Sequence, residues 1–397
     1  MGIIAPRKEA RMSQDTPLTS EEIREVTIET LSEVVELKVE GEVYTKEDIL
    51  HTLVAAAADH TTIEQACGEL ENGCHSNTVR HRLQGLQVDE VEAQLNAGLV
   101  SAIPLKLDRK RWKVAIDLTL HPYYGEVTDT LRDYVIRSAA KAGTTRFFGY
   151  ATVYVVKKNQ RYTLSLHILR QNESLVEVLA LLLDRVKELG VHLKRLYLDR
   201  GFYSIAVCRY LQEHHIPALM PVVKKGKKGG IRKLFVGRKS YQTTYTLRNQ
   251  KTKEEVTIDV AIVCTYQKGK RGCRLFGYAF FNYIPTLCGL HEDYRHRFGI
   301  ETSYRVGNQA RGWTTSREPV LRLLFFGIAV ILENIWVRLK WSRVSIPRKG
   351  GRLVWEKKFP FRRMLRLLLR AIQRIYGVKT SISLCLPGEG HPTNPTL

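Results

Sequence analysis

WKVAIDLTLHPYY, residues 112–124, decides the fold when it is read with two later stretches, KRLYLD at 194–199 and HEDYRHRFGIETSYRVGNQARGW at 291–313. The first is apolar and β-branched, the composition of a strand within a sheet, yet Asp117 stands in its middle. A carboxylate buried there is costly unless something compensates its charge, and a metal ion would. Asp199 ends the run RLYLD just before Arg200 and Gly201, the place where open α/β sheets present ligands at their carboxyl ends. Two such aspartates suit a pair of divalent ions, because Mg²⁺ prefers carboxylate oxygens and water. The plainer alternatives stay open: Asp117 caps a turn, and Asp199 pairs with Arg200.

Outward from these runs, FFGYATVYVVKK (147–158) and RYTLSLHILR (161–170) read as further strands parted by polar turns. ESLVEVLALLLDRVKELG (173–190) has the period of a helix ending at Gly190, and SIAVCRYLQEHH (204–215) and IPALMPVV (216–223) follow as helix and strand. The order β-β-β-α-β-α-β predicts a mixed α/β sheet flanked by helices. KKGKKGG (224–230) reads as a flexible basic loop carrying Lys224, Lys225, Lys227 and Lys228. It lies in a β-rich insertion, 221–285, whose short pieces suggest a small antiparallel subdomain. In 291–313, helical spacing places Tyr294, Arg297, Glu301, Arg305 and Asn308 along one face. An exposed, salt-bridged helix is the other reading of that stripe.

A chain of 397 residues predicts several compact units. Its net charge of +22, with 62 Lys and Arg against 40 Asp and Glu, makes a polyanion, and nucleic acid first, the expected partner. A merely basic soluble protein is the alternative. Seven scattered cysteines without CxxC spacing argue against a disulfide framework or structural zinc and for a reducing cytoplasm. The opening MGIIAPRKEARMSQDTP lacks the apolar core of a signal peptide. LLFFGIAVIL (323–332) is too short to span a bilayer and reads as a buried helix.

Residues 1–18 lack periodicity and are expected to be a disordered tail; Thr19 with Glu22 then forms a capping-box pattern opening a helix through Leu37. TTIEQACGEL, ENGCHS and NTVRHRLQGL (61–86) read as two short helices joined by a turn, the second bearing Arg80, His81 and Arg82. This is either a DNA-reading helix-turn-helix or a helical bundle with a basic face. FRRMLRLLLRAIQRIYG (361–377) forms an amphipathic helix with its arginines outside the apolar stripe, suited to salt-sensitive backbone contacts. The expected division is a helical DNA-binding domain over 19–100, a catalytic domain over 105–340 holding the insertion, and a basic C-terminal region over 341–397. The last ten residues are expected to be disordered.

Tyr294, Arg297 and Glu301, spaced Tyr, two residues, Arg, three residues, Glu, resemble the signature of the cut-and-paste DDE transposases of bacterial and archaeal insertion sequences. In the Tyr-Arg-Glu-Lys subgroup a Lys follows six residues after the Glu; Asn308 stands there in this chain, with Arg305 and Arg311 near enough to supply positive charge. DRGFYS (199–204) is similar to the stretch that follows the family's second aspartate. The resemblance covers about residues 110–340. It implies a ribonuclease-H-like core in which Asp117, Asp199 and Glu301 are both catalytic residues and metal ligands. It also implies two Mg²⁺ ions per active site, with Mn²⁺ substituting, held about 3.5–4 Å apart. The implied activity is endonuclease and strand transferase, and the implied partner is double-stranded DNA, both element ends and target. A homodimer in the synaptic complex, a cytoplasmic, nucleoid-associated location and no membrane complete the expectation. Tyr294, Arg297, Arg305, Arg311, Arg200, the four lysines of KKGKKGG, Arg80 and Arg82 are the expected DNA contacts. A nuclease or resolvase of the same fold that cuts without joining, and an inactive DNA-binding descendant, are the competing readings.

Overall fold

The computed structural model describes residues 17–37, 43–104, 107–224, 228–266, 271–298, 307–349 and 351–381. Residues 1–16 of the tail expected over 1–18 and the last ten residues lie outside them, as do Lys225, Lys227, Glu301 and Arg305; Leu18 of that tail packs against the bundle core.

The strand-like runs pair into one mixed sheet. Its strands are β1 Trp112–Pro122, β2 Val135–Lys141, β3 Thr144–Val155, β4 Thr163–Ile168, β5 Leu193–Tyr197, β6 Ala218–Pro221, β7 Tyr241–Arg248, β8 Glu255–Tyr266 and β9 Cys273–Phe281. They lie in the order β2-β3-β1-β5-β6-β9-β8-β7, with β4 also on β3. β3 pairs antiparallel with β1, β2 and β4. β5 and β6 run parallel to β1, which requires crossovers; helices α6 Leu175–Glu188 and α7 Ile205–Glu213 supply them. Ser174 and Glu177 close a capping box at the start of α6. The stretch expected to be a separate antiparallel subdomain is antiparallel, but it extends the main sheet. β9 pairs with β6 through Ala218↔Phe281 to Pro221↔Tyr278, so the unpaired edge of β6 is capped by a ladder.

Strand alternation sorts side chains to two faces. Val114, Ile116, Val153, Leu196 and Leu198 point to α6 and α7, where Val178, Leu182, Val207 and Leu211 complete one core. Ala115, Tyr154 and Tyr197 point to the other face, packed under α8 Leu290–Arg295. Further along β3, Tyr150 stacks on Phe326 of α9, Pro319–Ser342, with ring centroids 4.1 Å apart.

α9 is long and apolar enough to cross a membrane, but most of its surface is buried within the protein. Gly98 of α5 Val88–Ser101 and Gly327 of α9 let these helices approach closely: a Cβ on Gly327 would overlap Leu95, and one on Gly98 would meet Ile331 at 2.9 Å. Around α9 lie α1 Ser20–Ser32, α2 Lys46–Ala58, α3 Ile63–Glu69, α4 Ser76–Leu83 and α10 Phe361–Tyr376, sharing one core. α1 is capped by Thr19 as expected but ends at Ser32, short of Leu37. α10 packs on α1 and α2, so the C-terminal helix completes the N-terminal bundle.

Bundle and sheet are joined by a buried ionic knot. His167 on β4 holds Glu92 of α5 at 2.9 Å through Nδ1 and Glu173 at 2.9 Å through Nε2, and Arg185 of α6 reaches Glu92 at 2.6 Å. Burial alone would depress the imidazole, but the two carboxylates outweigh it and push it up to about 9. The folded imidazole therefore titrates above its unfolded value of 6.5. The knot's contribution is complete below about pH 6.5 and is lost as pH rises through 9. A shift of this size corresponds to about 3 kcal/mol. Urea unfolding of the wild type is expected to weaken by about that amount between pH 6.5 and 9.5, and His167→Gln to flatten the profile. An equally steep profile in the variant would remove the knot as its source.

Candidate active site

The parallel pairing of β1 and β5 is in register at Lys113↔Arg195 and Ala115↔Tyr197, its last pair. Asp117 and Asp199 each lie two residues further and so share a face at the mouth where the strands part. Each strand thus presents a cation and, four residues later, an acid on the same face: Lys113 and Asp117, Arg195 and Asp199.

The segment beginning with α8 carries the complementary pattern. Asp293 pairs with Lys113 and Arg195 and accepts from the Tyr197 hydroxyl at 2.8 Å. Burial would raise its carboxyl, but the Lys113 and Tyr197 hydrogen bonds and both cations hold it below the usual carboxylate range. Four residues on, Arg297 places Nη2 3.1 Å from Asp117 and Nη1 3.6 Å from Asp199. Nη1 also donates to the Tyr294 hydroxyl at 3.0 Å, and that hydroxyl donates to the Leu198 carbonyl at 3.0 Å. The Tyr154 hydroxyl holds the Arg297 carbonyl at 3.2 Å.

Asp117 is buried to 13% side-chain exposure and Asp199 is open at 47%. Asp117 lies within β1 and compensates its charge through Arg297. Asp199 caps the 3-10 turn Arg200–Phe202 by accepting from the backbone N–H of Arg200. Both aspartates thus converge on the Arg297 guanidinium, and two carboxylates meeting at one site of positive charge are a donor set that fits a hard divalent ion. Among the described residues no cluster of three or more metal-ligating side chains occurs.

The helix expected over the third carboxylate falls on Glu301, outside the described residues. α8 ends at Arg295 and tightens into a 3-10 turn over His296–Phe298. Asn308 begins a separate 3-10 turn. Tyr294 and Arg297, expected to hold the phosphate backbone near the cut, are buried against the sheet at 2% and 5% exposure. Arg311 and Asn308 line a space between β3 and α9 with Thr152, Tyr154, Thr163 and Glu333. Thr152 is the strand partner of Asp117, so this space lies beside that aspartate's strand position, and burial depresses the Arg311 guanidinium.

Of the remaining expected contacts, Arg200 and Lys228 are exposed. Lys224 lies 3.4 Å from the centre of the Phe235 ring, and burial depresses its ammonium. Arg80 is exposed on α4 and paired with Glu64 at 2.6 Å. Arg82 is corrected: it is buried at 8% on the inner side of α4, where the helical period turns it from Arg80 into the bundle. The side chains missed by sequence reasoning are Asp293, Lys113, Arg195 and Tyr197. Their signal was present as cations alternating onto one face of two apolar strands.

No curated protein sequence matches this chain. Among solved structures it is similar to the piggyBac transposase in its synaptic complex with hairpin DNA. The TM-score is 0.51 at 13% identity, over 91% of this chain and 80% of that one, a likeness of fold. The model of the transposase DDE domain family matches residues 108–323, the sheet, both aspartates and the start of α9. That span is more than half of the sequence, and the chain belongs to this family.

Proposed function

We propose that the chain is a DNA transposase that excises an insertion sequence and joins it to target DNA. Asp117, Asp199 and Glu301 form its acidic triad, and it belongs to the Tyr-Arg-Glu-Lys subgroup with Asn308 at the Lys position. The observation that carries this reading is the convergence of Asp117 and Asp199 on one cation site where β1 and β5 diverge. The strand order β4-β3-β1-β5-β6 supports a ribonuclease-H-like core, and family membership supports the reaction class. The resemblance that extends to Glu301 supports its place as third acid.

Divalent ions held by these carboxylates, Mg²⁺ or Mn²⁺, would supply charge neutralisation at the scissile phosphate and a more acidic bound water. The chain's own residues do the rest. Asp117 and Asp199 orient their oxygens toward the mouth of the sheet. Arg297 keeps the two like charges together, and Tyr294 fixes Arg297 against the Leu198 carbonyl. Exposed Arg200 is placed to meet a phosphate near Asp199, as cationic side chains commonly do. Two ends must be joined at once, so the active form on DNA is a homodimer in the bacterial or archaeal cytoplasm. The N-terminal helices are the domain that reads the element's ends.

The test is incubation of the purified chain with Mg²⁺ and a plasmid bearing the element's own flanking ends. Release of the element and its covalent joining to a second plasmid is the expected result. Cutting without joined product would instead make the chain a nuclease or resolvase, and neither product would overturn the reading.

A further inference from the structure

α10 carries Arg362, Arg363, Arg366, Arg370 and Arg374 and no acidic residue. All five arginines are exposed. Arg362, Arg366, Arg370 and Arg374 recur every fourth residue, so they step roughly 6 Å at a time along about 18 Å of one helix side. Only Arg374 has an acidic partner, Glu21; Arg363 donates to the Lys358 carbonyl at 2.9 Å. Arg362, Arg366 and Arg370 have no ion pair among the described residues.

Folding gives no reason for this row. Like charges four apart weaken a helix by about 0.2–0.5 kcal/mol per pair, and cations in a first turn oppose the helix dipole. Arg362 and Arg363 stand in that first turn, just after exposed Lys357 and Lys358. A cost repeated along one face and left uncompensated inside the protein points to a partner outside it with regularly repeated negative charge.

The apolar side of α10 narrows the choice. Phe361, Met364, Leu365, Leu368 and Ile372 are buried in the bundle core, against α1 and α2. An amphipathic helix that lies in a membrane needs that side free to enter the acyl region. The row can therefore act only as a fixed array of charge. The end of α10 is also tied to the turn between α3 and α4. Asn72 N–H donates to the Tyr376 carbonyl at 2.9 Å, and Lys379 N–H to the Glu69 carbonyl at 3.0 Å. The array is thus fixed relative to α4.

We propose that α10 is a preformed rail for the backbone of duplex DNA. Arg362, Arg366 and Arg370 each neutralise a phosphate, independently of sequence, and hold the duplex in register with the α3–α4 unit. This rests on the reading that the chain handles double-stranded DNA, and it assigns binding to a surface remote in sequence from the acidic triad.

The test is the salt dependence of binding to a random-sequence DNA duplex, without Mg²⁺, for the full chain and for the triple variant Arg362→Gln, Arg366→Gln, Arg370→Gln. Each lost phosphate contact should reduce the slope of log K against log salt by about 0.9, so the triple variant should lose roughly 3 from it. Thermal unfolding should show the variant at least as stable as wild type, since its buried side is untouched and like-charge repulsion along the helix is relieved. An unchanged slope in a variant that still cuts DNA would overturn the rail alone. A wild type that neither binds the duplex nor cuts it would overturn the reading beneath it. Salt-sensitive binding to phosphatidylserine vesicles, lost in the triple variant while the DNA slope stays unchanged, would assign the row to membranes and overturn the proposal.

Discussion

Asp117→Asn will lower metal-dependent cutting and joining by about 10³-fold, the order seen when one preorganised electrostatic group is removed from an active site, while the chain stays folded. The substitution keeps the side chain's shape and removes its charge, so hard-ion affinity falls and the geometry persists. Its stability cost is limited to about 3 kcal/mol at most, because Asp199 and the Tyr294 hydroxyl remain on the Arg297 guanidinium. Rates of strand cutting, measured beside urea unfolding and duplex binding, separate these effects. Cutting that stays within a few-fold of wild type would place the chemistry elsewhere.

Arg297→Met is expected to destabilise the protein by about 3–5 kcal/mol, the usual consequence of leaving one member of a buried ion pair behind. Arg297 is the cation contacting both aspartates among the described residues, and Asp117 is 13% exposed. Without it, Asp117 must carry its charge in a poorly hydrated site beside a second carboxylate. A divalent ion that binds the folded chain and not the unfolded one then restores stability with concentration. Urea unfolding of this variant with and without Mn²⁺ measures both effects. No loss of stability in the variant, or a loss that Mn²⁺ leaves untouched, would show that the guanidinium does not balance these acids.

Much of the main sheet was legible because its strands are driven by β-branched, apolar runs that local patterning reports well. Asp117 and Asp199 were legible for the complementary reason: a charge inside such a run requires an explanation. Less legible were elements whose identity depends on what packs against them. α2, with the sequence KEDILHTLVAAAA, is apolar around most of its circumference, so it has no stripe to betray it until a bundle surrounds it. β7 to β9 read as an independent unit because sequence shows alternation but not partners; the pairing of β9 with β6 made them part of the main sheet. Helical period placed Tyr294, Arg297 and Glu301 on one face but could not say what that face meets. The charges that turn its first half inward, Lys113 and Arg195 above and the aspartates below, come from strands nearly a hundred residues or more earlier. Arg82 failed similarly, since a basic residue in a short helix gives no hint that its side chain lies on the bundle side.

The central claim, that Asp117 and Asp199 hold the ions for phosphoryl transfer, is tested most directly by replacing Mg²⁺ with Fe²⁺ on the DNA-bound chain. Addition of ascorbate and peroxide then lets hydroxyl radicals cut the polypeptide beside the bound ion. Cuts clustered near residues 117 and 199, and lost in both Asp117→Asn and Asp199→Asn, are the result this account predicts. Cuts confined to other segments, or undiminished in both variants, would contradict it.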